Sequence, residues 1–174
     1  MVNWLDRLLQ KVAAMHAAKQ QDWQTPPELF AWLESELGFK FTLDPCTSPD
    51  NPLGIKKFFT EVDDGLKQSW KGHKAYVNPP YGDLPLWVAK CREESWDCDT
   101  TVVMLIPVRV SPGYMRKHIW RSHTKFLYEL NWARYLQNGE VGVYFLPKRI
   151  RFIDPSTGGP TGSPYFDSMV VVFR

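Results

Sequence analysis

The sequence contains few of the side chains that bind metals or form disulfides. Its three cysteines are Cys46, Cys91 and Cys98, their spacing matches no zinc-binding pattern, and the four histidines are scattered. These shortages predict that the protein binds no metal. An odd number of cysteines in a sequence without a signal peptide predicts a reducing, cytoplasmic setting.

Long hydrophobic runs are also missing, and none approaches the length of a membrane-spanning helix. The 174 residues are 44% hydrophobic and 23% charged, which suits one compact domain with a core. The net charge is only +2, but residues 1–100 carry 11 Lys and Arg against 15 Asp and Glu, and residues 101–174 carry 10 against 4. The basic C-terminal part predicts contact with a polyanion, and an ordinary solvated face is the alternative interpretation.

The stretch Asn78-Pro79-Pro80-Tyr81 is the most informative part of the chain. It follows Ala75-Tyr76-Val77, an apolar run typical of a short buried strand, and it precedes the turn signal Gly82-Asp83. Open α/β sheets bind their ligands in loops at the carboxyl ends of strands. The stretch therefore predicts a ligand site, and a proline-rich turn with a tyrosine at its tip is the alternative.

Methyl transfer to an amino group conjugated with a ring is the chemistry that fits this stretch. The lone pair of such a nitrogen is delocalised, but the Asn78 side-chain oxygen and the Pro79 carbonyl can accept hydrogen bonds from both amino protons. These acceptors stabilise the charge that develops during transfer. Pro79 and Pro80 restrict the backbone, and Tyr81 offers a ring on which a flipped base can stack.

Two stretches before this loop also carry candidate site residues. Thr25 is predicted to cap a helix that begins at Pro26, with Glu28 completing a capping box, which leaves the large aromatic Trp23 unexplained. Asp44 follows a predicted strand over residues 39–43 and is suited to hold a cationic amino group or a hydroxyl. An Asx-turn before proline explains Asp44 equally well.

Charged segments give the remaining candidates. The acidic loop of residues 61–66 can accept hydrogen bonds from an adenine amino group or from ribose hydroxyls, and a solvated turn is the alternative. The segment from Pro107 to Lys125 contains basic but no acidic residues. Phosphate contacts are predicted for six basic residues, Arg109, Arg116, Lys117, Arg121, Arg149 and Arg151.

The order of predicted elements indicates an α/β fold. An amphipathic helix over residues 4–19 comes first, and packing on the domain, partner binding and self-association are its possible roles. Strand and helix then alternate through two-thirds of the chain, with a helix over 84–96, a central strand over 101–106 and a half-exposed strand over 149–153. This order predicts a mostly parallel sheet with helices on both faces and a C-terminal antiparallel hairpin.

With these residues in view, the chain resembles the phage-type Dam-like DNA adenine methyltransferases over roughly residues 22–174. The ordered set of matching pieces is more specific than any one of them. The pieces are Asp22-Trp23-Gln24-Thr25-Pro26, Thr42-Leu43-Asp44-Pro45, Phe58-Phe59-Thr60 with Asp63-Asp64-Gly65-Leu66, Asn78-Pro79-Pro80-Tyr81-Gly82, Val102 to Arg109, Arg149-Ile150-Arg151-Phe152, and Ser168 to Phe173.

The resemblance implies an enzyme with a Rossmann-like methyltransferase domain over residues 22–174, after the helix of residues 1–21. It implies S-adenosylmethionine as methyl donor, adenine in DNA, expected as duplex, as acceptor, and the cytoplasm of a bacterial or phage-infected host cell as the setting. The loop Asn78 to Tyr81 would be catalytic. The implied donor-binding residues are Trp23, Thr25, Asp44, Pro45, Phe59 and Asp64, with Asp63 as an alternative to Asp64.

The chain departs from broader methyltransferases at two places. It lacks the glycine-rich loop usual after the first strand, and the segment from Asp44 to Asn78 is short, so the intervening strand–helix units must be abbreviated. Residues 129–146 are a candidate target-recognition hairpin. The alternatives are another planar amino acceptor, such as cytosine, guanine in RNA or a protein glutamine, and a DNA-binding module without catalysis.

Overall fold

The computed structural model describes residues 23–97, 99–120, 123–162 and 164–174. The predicted helix over residues 4–19, Cys98 and the basic candidate Arg121 lie outside the described residues. The helices are α1 (Pro27–Leu37), α2 (Leu84–Glu94) and α3 (Gly113–His118), with 3₁₀ turns at Tyr81–Asp83 and Leu130–Tyr135. The strands are β1 (Leu43–Asp44), β2 (Lys57–Phe58), β3 (Lys74–Val77), β4 (Thr101–Pro107), β5 (Thr124–Phe126), β6 (Val141–Phe145) and β7 (Ser168–Phe173).

The seven strands form one sheet in the order β2-β1-β3-β4-β7-β6-β5. β1 pairs in parallel with β2 and β3, β3 with β4, and β5 with β6. β7 is antiparallel to both of its neighbours, β4 and β6, so it is the reversed strand of the sheet. The mixed α/β sheet confirms the predicted class, and the antiparallel pairing at its C-terminal strands agrees with the predicted hairpin.

β4 shows how the sheet is covered on both faces. All seven of its residues are buried, and its side chains alternate between two hydrophobic clusters. Val102, Met104 and Ile106 pack with the buried face of α2, while Val103 and Leu105 pack with α1. Since successive strand residues point to opposite faces, helices lie on both sides of this strand, as predicted.

The short connection between β1 and β3 confirms the predicted abbreviation. Residues 45–73 contain the two-residue strand β2 and turns, and the structure describes no helix there. Gly65 explains how this segment stays close to β1, because a Cβ atom added at Gly65 would lie 1.9 Å from the Pro45 carbonyl oxygen. The connection therefore packs on the end of β1 by direct backbone contact.

Several local predictions were wrong. α1 begins at Pro27, its N-cap residue is Pro26, and no side chain caps it, so the predicted capping box of Thr25 and Glu28 does not form. α1 ends at Gly38, whose φ of 73° suits glycine. α2 ends at Glu94, two residues short of Trp96, and the N-cap residue Asp83 makes no capping bond.

Two C-terminal segments also differ from expectation. Residues 149–153 alternate in burial but do not form a strand, and only Ile153 makes isolated bridges, to Gln24 and Pro160. Residues 129–146 do not form a hairpin of their own, because their 3₁₀ turn packs with α1 and their strand β6 joins the main sheet. Within the described ranges, no helix has both the length and the apolar character needed to cross a membrane.

Candidate active site

The side chain of Asn78 is held in one orientation at the carboxyl end of β3. Its Nδ2 donates hydrogen bonds to the Trp23 carbonyl oxygen at 2.8 Å and to Thr25 Oγ1 at 3.2 Å. A carbonyl oxygen can only accept, so the amide nitrogen must face Trp23 and the amide cannot be flipped. Asn78 Oδ1 is therefore directed away from these partners as an acceptor.

Thr25 holds this amide instead of capping α1. It is buried, and its Oγ1 lies 2.7 Å from the hydroxyl of Tyr76, which is completely buried in β3. Burial raises the pKa of Tyr76 well above its usual value of 10.0, so the phenol stays neutral. The hydrogen-bonded chain of Tyr76, Thr25 and Asn78 explains why a threonine stands at this position.

Aromatic rings surround Tyr81. The Trp23 ring stacks on Phe152 and Phe166 at centroid distances of 5.3 and 5.9 Å. Tyr81 meets Trp23 and Phe166 edge-to-face at 6.5 and 5.6 Å. Its hydroxyl is buried and has no hydrogen-bond partner among the described residues, and burial raises its pKa. Within the loop, Pro79 is buried and Pro80 is exposed.

Asp44 provides a buried carboxyl group at the end of β1, the strand next to β3. It is 4% exposed, and its Oδ1 accepts a hydrogen bond from the Cys46 backbone N–H at 3.1 Å. Burial raises its pKa from 3.8 to about 7, although hydrogen bonds from Cys46 and Thr47 lower it. The Asx-turn is thus present, but it does not account for a carboxyl group buried among neutral partners, which suits a cationic ligand.

Backbone hydrogen bonds bring Phe59 and Cys46 to the same place. The Phe59 N–H donates to the Asp44 carbonyl oxygen at 2.8 Å, and the Thr47 N–H donates to the Phe59 carbonyl oxygen at 3.1 Å. The Cys46 sulfur lies against the backbone N–H of Asn78 and near the Asp44 carboxyl group. Cys46 therefore links the ends of β1 and β3 and brings Asp44 and Asn78 near each other.

The acidic loop follows Phe59, and its two aspartates have different partners. Asp63 accepts hydrogen bonds from the N–H and the hydroxyl of Thr60 at 2.8 and 2.7 Å, so it stabilises its own turn. Asp64 is half-buried, has a positive φ of 52°, and pairs with the exposed Lys67 at 2.7 Å. An exposed ion pair is weak, which leaves Asp64 the better candidate for a ligand contact.

The basic candidates all lie in the C-terminal part of the chain, after β4. Arg109 is exposed two residues beyond β4, and Arg116 and Lys117 are exposed on α3. Arg149 and Arg151 are also exposed, and Arg149 pairs with Asp167 at 3.1 Å. Five of the six predicted basic residues thus present their side chains to solvent, as a phosphate contact requires.

Sequence reasoning missed Tyr76, Cys46, Phe152 and Phe166 as parts of the site. Tyr76 had a signal in the sequence, because a tyrosine in a strand predicted to be buried needs a hydrogen-bond partner for its hydroxyl, and Asn78 follows two residues later. Phe166 had none, since it lies in a loop far along the chain. In the part of the chain that the structure describes, no three His, Cys, Asp or Glu residues are grouped to hold a metal ion, and the absence of a metal stays a prediction.

The sheet, the Asn-Pro-Pro-Tyr loop and the adjacent buried carboxyl group define the class of protein as an amino-group methyltransferase. The family model described as DNA N-6-adenine-methyltransferase (Dam) matches residues 13–174. The chain therefore belongs to the Dam family and is an adenine-specific DNA methyltransferase.

Relatives agree with this assignment. The chain is 30% identical over 152 residues to a DNA N-6-adenine-methyltransferase of Haemophilus phage HP1 (strain HP1c1). The aligned residues cover 87% of this chain and 78% of the relative. It is 26% identical over 153 residues to a DNA N-6-adenine-methyltransferase of Escherichia phage T1, which covers 87% of this chain and 62% of the relative. No solved structure matches the chain.

Proposed function

We propose that the chain transfers the methyl group of S-adenosylmethionine to the exocyclic nitrogen of an adenine that has flipped out of duplex DNA into the Asn78–Tyr81 loop. The fixed amide of Asn78 carries this proposal. Because Nδ2 is bonded to Trp23 and Thr25, Oδ1 is the atom left to accept a hydrogen bond from the substrate.

The amino group of adenine needs such an acceptor. Its lone pair is conjugated with the ring, and positive charge develops on the nitrogen as the new bond to carbon forms. Asn78 Oδ1 and the Pro79 carbonyl accept hydrogen bonds from the two amino protons, direct the lone pair and stabilise the developing charge. The proton leaves to water after transfer, so this mechanism needs no general base.

Asp44 supports the placement of the donor. S-adenosylmethionine supplies an electrophilic methyl group on a positively charged sulfur and carries a cationic amino group. The Asp44 carboxyl group is buried among neutral partners, and a bound cation would favour its ionised form. Pro45 follows Asp44, the Phe59 N–H donates to the Asp44 carbonyl oxygen, and Asp64 precedes Gly65, which packs on Pro45. Trp23 and Thr25, the other proposed donor-binding residues, contact Asn78.

The same arrangement supports a stacked target base. Tyr81 is held from two sides by Trp23 and Phe166, so its position is fixed before a base arrives. Arg109, Arg116, Lys117, Arg121, Arg149 and Arg151 are proposed to contact phosphates, which would make DNA affinity fall as salt rises.

The test is transfer of a tritiated methyl group from labelled S-adenosylmethionine to unmethylated duplex DNA, followed by nucleoside analysis. We expect labelled N6-methyladenine from the unaltered protein and none from the Asn78→Ala variant, which should still bind the donor. The exposed Asn138, at the other end of the strands, supplies the matched control Asn138→Ala, which should keep full activity. Labelled methylcytosine, or full activity of Asn78→Ala, would contradict the proposal.

A further inference from the structure

Three aromatic rings form a row beside β5 and β6, the strands farthest from β2 in the sheet, and two of the three are exposed. Trp120 stacks with Phe126 at a centroid distance of 5.8 Å and an interplanar angle of 22°, and Phe126 stacks with Phe145 at 6.2 Å and 14°. Phe126 and Phe145 are 61% and 45% exposed. We call Trp120, Phe126 and Phe145 the aromatic row.

The fold alone does not explain why the Phe126 and Phe145 rings are exposed. β5 is the last strand of the sheet, and Phe126 and Phe145 end two neighbouring strands. Val141 and Val143, which precede Phe145 on the same face of β6, are buried in the core. The row is therefore the uncovered continuation of a core face, and neighbouring exposed aromatics commonly mark a binding surface.

Along the strand direction, the row lies at the same end of the sheet as the Asn78–Tyr81 loop, the end where β3 and β6 terminate. Phe145 pairs with Met169, Met169 pairs with Ile106, and Val77 pairs with Met104, so Phe145 is about level with the loop that follows Val77. Three strand spacings separate β3 from β6, which is roughly 14 Å, and Phe126 is one spacing further away. Both distances are within the width of a DNA duplex.

The charges around the row fit a polyanion. Arg116 and Lys117 are exposed on the helix that precedes Trp120, and Lys148 is exposed three residues after Phe145. Glu140, the acidic residue that comes before β6, is paired with Lys125. Aromatic rings flanked by cations are the combination that binds single-stranded nucleic acid, because bases stack on the rings while cations contact phosphates.

We infer that the aromatic row is a stacking platform for unpaired bases of the DNA substrate, next to the catalytic loop. Phe126 stacks with both other rings, so the π-face open to a base is the face of Phe145 that is turned away from Phe126. Bases inside an intact duplex cannot use it because they already stack on each other. The platform therefore receives nucleotides that leave the stack when the target adenine is extruded, or bases of a single strand. This inference rests on the proposed function for its substrate.

The test is binding of a fluorescein-labelled twelve-residue oligothymidylate, followed by fluorescence anisotropy at several salt concentrations. We expect the double variant Phe126→Ala/Phe145→Ala to bind about tenfold or more weakly. The slope of affinity against salt should not change, because no phosphate contact is removed, whereas Arg116→Ala/Lys117→Ala should reduce that slope. The matched control is Tyr135→Ala, because Tyr135 is an aromatic residue that is 75% exposed. Its neighbours Arg134 and Leu136 contact Arg174, which places Tyr135 at the opposite end of the strands.

A second variant keeps the test decisive if the alanine variant does not fold. Phe126→Leu/Phe145→Leu keeps apolar side chains but removes the aromatic rings. It should therefore fold, and its affinity for oligothymidylate should be reduced as in the alanine variant. Unchanged affinity of a folded variant would overturn the inference. A change of sedimentation from dimer to monomer, with DNA affinity unchanged, would also overturn it and assign the row to contact between copies of the chain.

The proposed function and the platform can fail separately. If the unaltered protein methylates adenine but the folded variants bind oligothymidylate normally, the platform is wrong and the proposed function stands. If the unaltered protein binds oligothymidylate through the row but transfers no methyl group to adenine in duplex or single-stranded DNA, the proposed function is wrong and the platform stands.

Discussion

Replacing Asp44 by asparagine tests the donor site through the stability of the ligand-free protein. The side-chain oxygen of the introduced asparagine would keep the hydrogen bond from the Cys46 N–H, which is 3.1 Å long in the present structure. The substitution therefore removes the buried charge while it preserves the turn. Because the carboxyl group is 4% exposed, removing its charge should change how stability depends on pH.

The magnitude follows from the raised pKa. Asp44 titrates near pH 7 in the folded protein and near its ordinary value of 3.8 in the unfolded chain. Between these values the folded protein keeps a proton that the unfolded chain has lost, so Asp44 lowers stability as the pH rises. From pH 5 to pH 7 the loss amounts to about 2.5 kcal/mol, or roughly 5 to 10 °C in melting temperature for a chain of this size.

The assay is thermal or urea unfolding of both proteins at pH 5 and pH 7 without donor. The stability of Asp44→Asn relative to the unaltered protein should rise by about 2.5 kcal/mol between these pH values. Burial and Lys57 lower the pKa of His73, but this residue is present in both proteins, so its effect on stability cancels in the difference. An equal stability gap at both pH values would refute a buried, uncompensated carboxyl group at this position.

Three further predictions concern the neighbouring residues. Thr25→Val should lower kcat about tenfold or more by releasing the Asn78 amide, and Thr25→Ser should restore the rate, as steady-state kinetics will show; equal rates for Val and Ser would exclude the role of the hydroxyl. Gly65→Ala should destabilise the protein by about 2 to 3 kcal/mol in urea unfolding, because its Cβ would meet the Pro45 carbonyl, whereas Gly113→Ala, which meets no atom within 4 Å, should be neutral or slightly stabilising. Donor binding to the unaltered protein, followed by calorimetry, should tighten from pH 6 to pH 8 as Asp44 ionises, and pH-independent binding would contradict a role for its charge.

Patterns within single elements predicted much of the fold. A few neighbouring residues are enough to define three features of the fold. These are the continuous apolar run of β4, the inward face of α2 and the glycine that ends α1. The Asn-Pro-Pro-Tyr loop could be placed after its strand for the same reason, since a strand, an asparagine and two prolines stand next to each other, and its catalytic role stays a prediction. Asp44 could be placed at the end of its strand, but the sequence could not decide between a turn and a buried charge.

Contacts between distant residues explain what the sequence did not show. Thr25 carries a strong capping signal, yet its oxygen bonds instead to the hydroxyl of Tyr76 and the amide of Asn78, because Thr25 and Tyr76 are buried together and Asn78 is half-buried beside them. Residues 149–153 alternate like a strand, but only Ile153 finds a partner, the backbone of Gln24. Propensity cannot reveal either outcome, because each depends on a residue more than 50 positions away.

The bond between Asn78 and Trp23 makes the orientation of this amide depend on distant parts of the chain. Trp23 is next to Gln24, which exchanges two backbone hydrogen bonds with Ile153, and its ring stacks on Phe166. A chain cleaved after β6 would therefore contain the complete Asn-Pro-Pro-Tyr loop but lack the contacts that hold its asparagine in place.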